Sequence, residues 1–310
     1  MNKIHDFAPN FFVVGAPKAG TTAVFSWLKS HPEVKLPETK EPGYFAYAGR
    51  TAVPQKGPYD SDYYSRITVN GSDYAQLYAA ANGRLTGDVS PVYLVDHAVA
   101  ARIASVRPDA RIIVLLRDPV ERAFSQYLHH VRDGLEPNSS FESALKDEPA
   151  RLRDGWSWGH GYATHGHYAA QIDRYLEAFA REQILFLDFA HLNSDPAYCW
   201  QQICAHLQTI THRPLERNDR VNVTAELANV SARPAVTRAM RHPGPLQRLF
   251  KPLAPPGLRK QLRRFLEGPG KSLPVLQQIT RQRLAAQFNP ERTYIAKQTG
   301  LSLDHWSRCS

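Results

Sequence analysis

The sequence predicts an α/β fold in which a parallel sheet is flanked by helices, and three stretches carry that expectation. Phe11–Val14 is an apolar run that enters a Gly-bounded loop and then a helical pattern. Ala110–Leu116 closes on the aliphatic run Ile112-Ile113-Val114-Leu115-Leu116 and passes through Asp118-Pro119 into a second helical pattern. Ile184–Leu187 repeats the switch ahead of a helix over Pro196–Leu207. Strands that are apolar on both faces belong to parallel sheets covered by helices, with ligands expected at the carboxyl edge of the strands. With 43% hydrophobic and 22% charged residues, the 310-residue chain has the composition of an ordinary globule. A single domain over 1–310 is expected, with a basic, Pro-rich insert or lid at about 227–275.

The first strand leads into Gly15-Ala16-Pro17-Lys18-Ala19-Gly20-Thr21-Thr22, and this loop is P-loop-like. A helix N-terminus after a Gly-containing loop aims several N–H groups at one point, which suits an anion. Gly15 and Gly20 keep the spacing of an ATP-type P-loop, but Thr21 stands where that motif has its Lys, and Lys18 lies inside the loop. The helix continues with Val24, Trp27, Leu28 and His31 at helical spacing, so one face can be buried.

The strand at Ala110–Leu116 ends in Arg117. Asp118 is placed to cap the next helix, Pro119 suits its first position, and Glu121 has capping-box spacing. The helix then runs from Val120 to Asp133, with Arg122, Ser125 and His129 on one stripe. An Arg fork at a strand end suits bidentate donation to phosphate oxygens better than Lys does. The alternative is an Arg paired with Asp118 or Glu121 beside a core helix.

Together these two loops resemble the donor site of sulfotransferases that use 3′-phosphoadenylyl sulfate (PAPS). The resemblance implies that Lys18, Ala19, Gly20, Thr21 and Thr22 hold the 5′-phosphate and the sulfonate bridge. It implies that Arg117 and Ser125 grip the 3′-phosphate. Further segments are similar to that family: Ser90-Pro91-Val92-Tyr93, the helix over Tyr168–Phe179 with Ile184–Leu192, and the tail Tyr294–Trp306. The implied reaction moves a sulfonyl group to a hydroxyl or amine of a carbohydrate or small natural-product acceptor, with no metal required.

Such a transfer needs charge stabilisation at the departing bridging oxygen and a base for the acceptor. Lys18 is the expected stabiliser. For the base we choose Glu41, because Lys40-Glu41-Pro42-Gly43-Tyr44-Phe45 resembles the Lys-Glu-x-x-Phe-Phe run of heparan-type and many bacterial members. A surface Lys40–Glu41 neighbour pair is the plainer alternative. The rival bases are His97, His129, His160, His165 and His167, the last three in a Gly/Trp-rich loop over 154–167 that is placed to line an acceptor pocket. Tyr44, Phe45, Tyr47, Trp156 and Trp158 can serve as ring-stacking acceptor contacts or equally as core.

Two other classes compete. A P-loop kinase needs its Lys after Gly20 and an acidic strand end for Mg²⁺, and Thr21 and Arg117 stand at those positions. A non-catalytic nucleotide- or lipid-binding protein accounts for the loop but gives Glu41 no task. The net charge of +9 is concentrated: from Leu227 to Leu266 there are cations and no acid. That segment can bind the nucleotide or an anionic acceptor as a lid, or touch anionic lipid, or be a solvated insert. Nucleic acid is not expected, since no stacking-aromatic array accompanies it. Three cysteines without zinc-ligand spacing, and an apolar N-terminal run too short for a bilayer with no signal-peptide pattern before it, predict a cytoplasmic enzyme.

Overall fold

A computed structural model describes residues 8–210 and 274–306. The basic segment at 227–266 and nearly all of the insert expected at about 227–275 lie outside these described residues. Five strands form one parallel sheet: β1 (Phe11–Gly15), β2 (Val34–Lys35), β3 (Leu85–Val89), β4 (Arg111–Leu116) and β5 (Ile184–Asp188). Their order is β2-β3-β1-β4-β5, and every pairing is parallel. The expected α/β architecture, with its helix-flanked parallel sheet, is therefore the one observed.

The helices in chain order are α1 (Thr21–Ser30), α2 (Tyr44–Tyr47), α3 (Ser61–Tyr64), α4 (Gly71–Gln76), α5 (Val92–Val95) and α6 (Val99–Val106). They continue as α7 (Pro119–Asp133), α8 (Phe141–Arg153), α9 (Ala169–Ala178), α10 (Phe189–Ser194), α11 (Pro196–Leu207) and, in the last described stretch, α12 (Gln278–Thr299).

Side chains explain why the elements stop and start where they do. All of β1 is buried, as are Ile112–Leu116 of β4. Each fully buried aliphatic of this kind contributes about 1.5–3 kcal/mol of transfer free energy. α7 opens as its sequence suggests, with the Asp118 carboxylate accepting from the N–H groups of Val120 (2.8 Å) and Glu121 (3.2 Å). Glu121, at the capping-box position, has its Oε1 on Arg281 of α12. α11 begins at Pro196 with Asp195 accepting from Tyr198 N–H. α1 and α11 pack through Trp27 and Trp200, whose ring centroids are 6.2 Å apart.

The topology brings two loops together. The chain leaves β1 toward β2 on one side, while the β3–β4 connection crosses β1 to reach the other side. The loops after β1 and β4 therefore meet at a switch point of the sheet. Val13 pairs with Ile113 but Gly15 pairs with Val114, so β1 carries a bulge just before the loop. Such a bulge bends the strand end and aims the loop that leaves it.

Candidate active site

The loop after β1 is built to expose a cation. Ala16 N–H donates to Leu115 O at 2.5 Å and Ala19 N–H to Ala16 O at 3.1 Å, which ties the loop to β4 and closes it on itself. Ala19 thus uses its own N–H inside the turn. Gly20 caps α1 with φ of 91° and no side-chain cap, and a Cβ there would lie 2.4 Å from Leu192 Cδ2. Only glycine meets both demands. Lys18 adopts a positive φ of 68°, the left-handed region that non-glycine residues seldom enter. Strain of this kind collects at sites where geometry is functional.

Lys18 is surrounded by charge without being paired. Burial, then the positive charges of Arg132, Lys40 and Arg117, lower its ammonium from 10.5 to about 8, with Asp133 opposing. Among the described residues its ammonium makes no hydrogen bond or ion pair. A cation held among cations is an electrostatic setting that favours a bound anion.

Arg117 stands at the end of β4. Its Nη1 donates to the Lys18 carbonyl oxygen at 3.0 Å, and its guanidinium lies 4.6 Å from the centre of the Phe189 ring. Its own carbonyl accepts from Tyr168 hydroxyl at 3.0 Å. The Nε is buried with no hydrogen-bond partner among the described residues. Burial holds the guanidinium below its usual range. The charges of Glu121 and Asp118 oppose that shift, and Glu121 is itself paired with Arg281. Ser125 is half-buried on α7. Arg122, on the same expected stripe, is fully buried and donates to Tyr162 O.

Lys40 joins the two candidate catalytic segments. Its ammonium donates to Glu41 Oε1 at 2.6 Å, Thr22 Oγ1 at 3.1 Å and Thr21 Oγ1 at 3.4 Å. The Lys40–Glu41 pair is therefore no loose surface pair: it pins the carboxylate beside the first turn of α1, and both side chains are about one-fifth exposed. Glu41, like Lys18, has a positive φ, 63°.

The histidines separate by environment. His97 is exposed. His160 is buried with its ring nitrogens on Ser157 O and Leu135 O, and His165 is buried with Nε2 on Trp158 O at 2.7 Å. His167 pairs with Glu291 of α12 at 2.5 Å and lines a cavity of about 690 Å³ with Glu148, Thr164, Arg283 and Gln287. Neither Lys18 nor Glu41 lines that cavity. His129 is the histidine on which Lys18 acts: burial first, then the Lys18 charge, lowers it to about 3 despite Asp133. Its Nδ1 lies 2.7 Å from Arg132 Nη2, and Arg132 is paired with Asp133.

The aromatics divide too. Tyr44, Phe45 and Tyr47 are core residues, the second of the two readings left open for them: Phe45 meets Phe12 of β1 edge-on, Tyr44 stacks on Tyr74 and Tyr47 packs against Tyr64. Trp156 packs on His160 and on Arg151 at 4.7 Å. Trp158 stands 6.2 Å from Tyr63, whose hydroxyl is held neutral by burial and by the charge of Glu41 among others.

A second cavity, of about 440 Å³, opens on Arg117, with Asp188, Phe189, Asn193, Arg281 and His305 around it. Asp188 at the end of β5 meets His305 Nε2 at 2.9 Å. Arg132, Asp133 and the bridging Lys40 were not among the residues expected at the candidate site. The first two look like ordinary last-turn helix charges, and Lys40 looks like a neighbour of Glu41.

A family model described as "Sulfotransferase family" matches residues 9–213, the stretch that carries both of these strand-end loops. The chain belongs to the sulfotransferase family. The chain is similar over 97% of its length to a crystal structure of a sulfotransferase from Alicyclobacillus acidocaldarius, of which it covers 99%, with a TM-score of 0.72 and 27% identity. It is 31% identical over 192 residues, 61% of the chain, to heparan sulfate glucosamine 3-O-sulfotransferase 3B1 of Mus musculus. It is 30% identical over 181 residues, 56% of the chain, to membrane-associated sulfotransferase kil1 of Dictyostelium discoideum. The matched region spans 43% of the mouse protein and 32% of the Dictyostelium one. No helix among the described residues of this sulfotransferase is long and apolar enough to cross a membrane. Nor does any group of three or more His, Cys, Asp or Glu side chains among them have the geometry to hold a metal ion.

Proposed function

We propose that this chain transfers a sulfonyl group from PAPS to a hydroxyl or amine of a carbohydrate or small natural-product acceptor. The observation that carries the reading is Lys18: a half-buried ammonium at positive φ with no hydrogen bond or ion pair among the described residues, in a loop whose carbonyl is held by Arg117. The residues fit a bis-phosphorylated donor. The first turn of α1 and the Thr21 and Thr22 hydroxyls offer donors to the 5′-phosphate. Arg117, with an orphaned buried Nε, is the ligand for the 3′-phosphate, together with Ser125.

In the reaction the acceptor oxygen or nitrogen bonds to sulfur as the bond from sulfur to the bridging oxygen breaks. Glu41 takes the acceptor's proton. Lys18 neutralises the charge that grows on the bridging oxygen, an electrostatic role of the kind that dominates many active sites. Lys40 keeps Glu41 against Thr21 and Thr22, so base and donor loop move as one unit. A glucosamine-containing acceptor is favoured by the kinship to the mouse heparan sulfate enzyme. Cys199 and Cys204, both buried free thiols, are compatible with the reducing cytoplasm in which we place the enzyme.

The test is calorimetric titration with adenosine 3′,5′-bisphosphate in parallel with ATP·Mg²⁺, followed by [³⁵S]PAPS transfer to heparan oligosaccharides and small hydroxylated amines. Micromolar binding of the bisphosphate, lost in Arg117→Ala and absent for ATP, supports the donor assignment. Preference for ATP, or binding of neither, overturns it.

A further inference from the structure

We infer that Asp88 is a positioning residue for Glu41, acting through Ser90 and Tyr93 as a clamp on the backbone of the Glu41 turn. The inference rests on the reading of Glu41 as the acceptor's base.

The clamp begins with a carboxylate that is completely buried at the end of β3. Asp88 Oδ1 accepts from Ser90 hydroxyl at 2.6 Å, and Oδ2 accepts from the hydroxyls of Tyr93 at 2.7 Å and Tyr74 at 2.8 Å. An ionised carboxylate only accepts, and a hydroxyl has one proton to give. With their protons committed to Asp88, the oxygens of Ser90 and Tyr93 are left as acceptors. Each faces a backbone N–H from the segment after Glu41: Gly43 N–H reaches Ser90 Oγ at 3.2 Å, and Phe45 N–H reaches Tyr93 hydroxyl oxygen at 3.3 Å.

Those two N–H groups sit where the chain needs holding. Phe45 lies in the first turn of α2, where an N–H has no acceptor within the helix. Gly43 has φ of 65° and Glu41 φ of 63°, so two left-handed residues flank Pro42. A Cβ on Gly43 would meet Ile67 Cδ1 at 2.7 Å, so that turn is packed as well as bonded. Thr68 N–H on Pro42 O, at 2.8 Å, closes the third side. The result is a rigid turn that presents the Glu41 carboxylate to Lys40 and through it to Thr21 and Thr22. Asp88 touches no reacting group itself.

A buried carboxylate is a costly way to hold a turn. Burial pushes the Asp88 carboxyl up to about 6 even with three hydroxyl donors on it, and the Glu41 charge adds to the rise. An apolar residue would not impose a direction on two hydroxyls. The polarity of the clamp is what the charge supplies.

The experiment compares three proteins with the wild type: Asp88→Ala, the double variant Ser90→Ala with Tyr93→Phe, and Glu41→Gln. Backbone amide exchange by NMR needs no acceptor. The Gly43 and Phe45 amides are expected to exchange about tenfold faster or more in the first two proteins, while Val13 and Val114 keep their protection. With [³⁵S]PAPS and a heparan oligosaccharide, turnover falls more than about tenfold in the first two proteins, while affinity for adenosine 3′,5′-bisphosphate stays within about twofold. Unchanged exchange at Gly43 and Phe45 overturns the inference. So does loss of protection that spreads through β1 and β4 in step with the melting temperature, which marks a purely structural role. Should Asp88→Ala fail to fold, the double variant decides alone. Glu41→Gln with full turnover sinks the base reading, and the exchange data still report on the clamp by itself.

Discussion

The Arg117 guanidinium donates to the backbone carbonyl of Lys18 at 3.0 Å, so the cation at the end of one strand holds the loop at the end of another. The two residues are 99 positions apart and belong to the two strands that neighbour each other at the switch point of the sheet. On the proposed assignment of Arg117 to the donor, donor affinity and the placement of Lys18 are coupled through this one hydrogen bond.

Arg117→Ala is expected to weaken binding of adenosine 3′,5′-bisphosphate by roughly 10- to 150-fold, the equivalent of a lost charge-assisted bond of about 1.5–3 kcal/mol. It should also lower turnover at saturating donor, because the Lys18 loop loses its tether. Arg117→Lys restores little of either, since an ammonium cannot serve a carbonyl and a phosphate in one fixed plane. Calorimetry with steady-state kinetics checks both parts.

Lys18→Ala should reduce turnover about 10²–10³-fold, the range for removing one preorganised charge contact, or about 3–4 kcal/mol of barrier. The wild type carries a pH signature of the same residue. The free ammonium is lowered to about 8, so kcat/KM should fall as pH rises through that value and the charge is lost. A bound polyanion favours the charged form, so the alkaline limb of kcat should lie at higher pH. Lys18→Arg should remove the limb from both profiles. A rate that climbs through this range would contradict the assignment.

Glu41→Gln should abolish turnover and leave binding of the bisphosphate intact. Lys40→Met acts one step away: it frees Glu41 from Thr21 and Thr22 and should lower turnover without matching the loss in Glu41→Gln. If Lys40→Met is silent in kinetics while the Glu41 variant is dead, the three-way bridge is not needed for transfer.

Away from the site, Arg151 makes two 2.9 Å bonds to Glu136, and Tyr162 hydroxyl donates to the same carboxylate at 2.5 Å. Because that proton is committed, Tyr162 oxygen accepts from His130 Nδ1–H at 2.9 Å, and His130 Nε2 accepts from the Gln126 amide. Burial holds His130 neutral, well below its usual range. Arg151→Leu alone should cost about 3–5 kcal/mol in urea unfolding, since it strands a buried carboxylate. Arg151→Leu combined with Glu136→Leu should recover a large part of that loss, while bisphosphate affinity stays at the wild-type value in both.

Local spacing and composition were enough to determine the strands and helices that matter here. The apolar runs at Phe11–Val14 and Ile112–Leu116 dictated buried parallel strands, Asp118-Pro119 set a helix start, and the helix over Pro196–Leu207 was legible as well. All of these depend on neighbours within one turn or one strand, which a sequence displays directly. The tertiary structure alone decided which side chains meet at the candidate site. It set Lys40 across Thr21, Thr22 and Glu41, and hung Gly43 on Ser90 over a separation of 47 residues. It also withdrew His160 and His165 into backbone hydrogen bonds and Tyr44, Phe45 and Tyr47 into the core. A histidine or tyrosine has the same spacing in either fate. What separates core from site is the set of partners that the sheet order brings within hydrogen-bond reach.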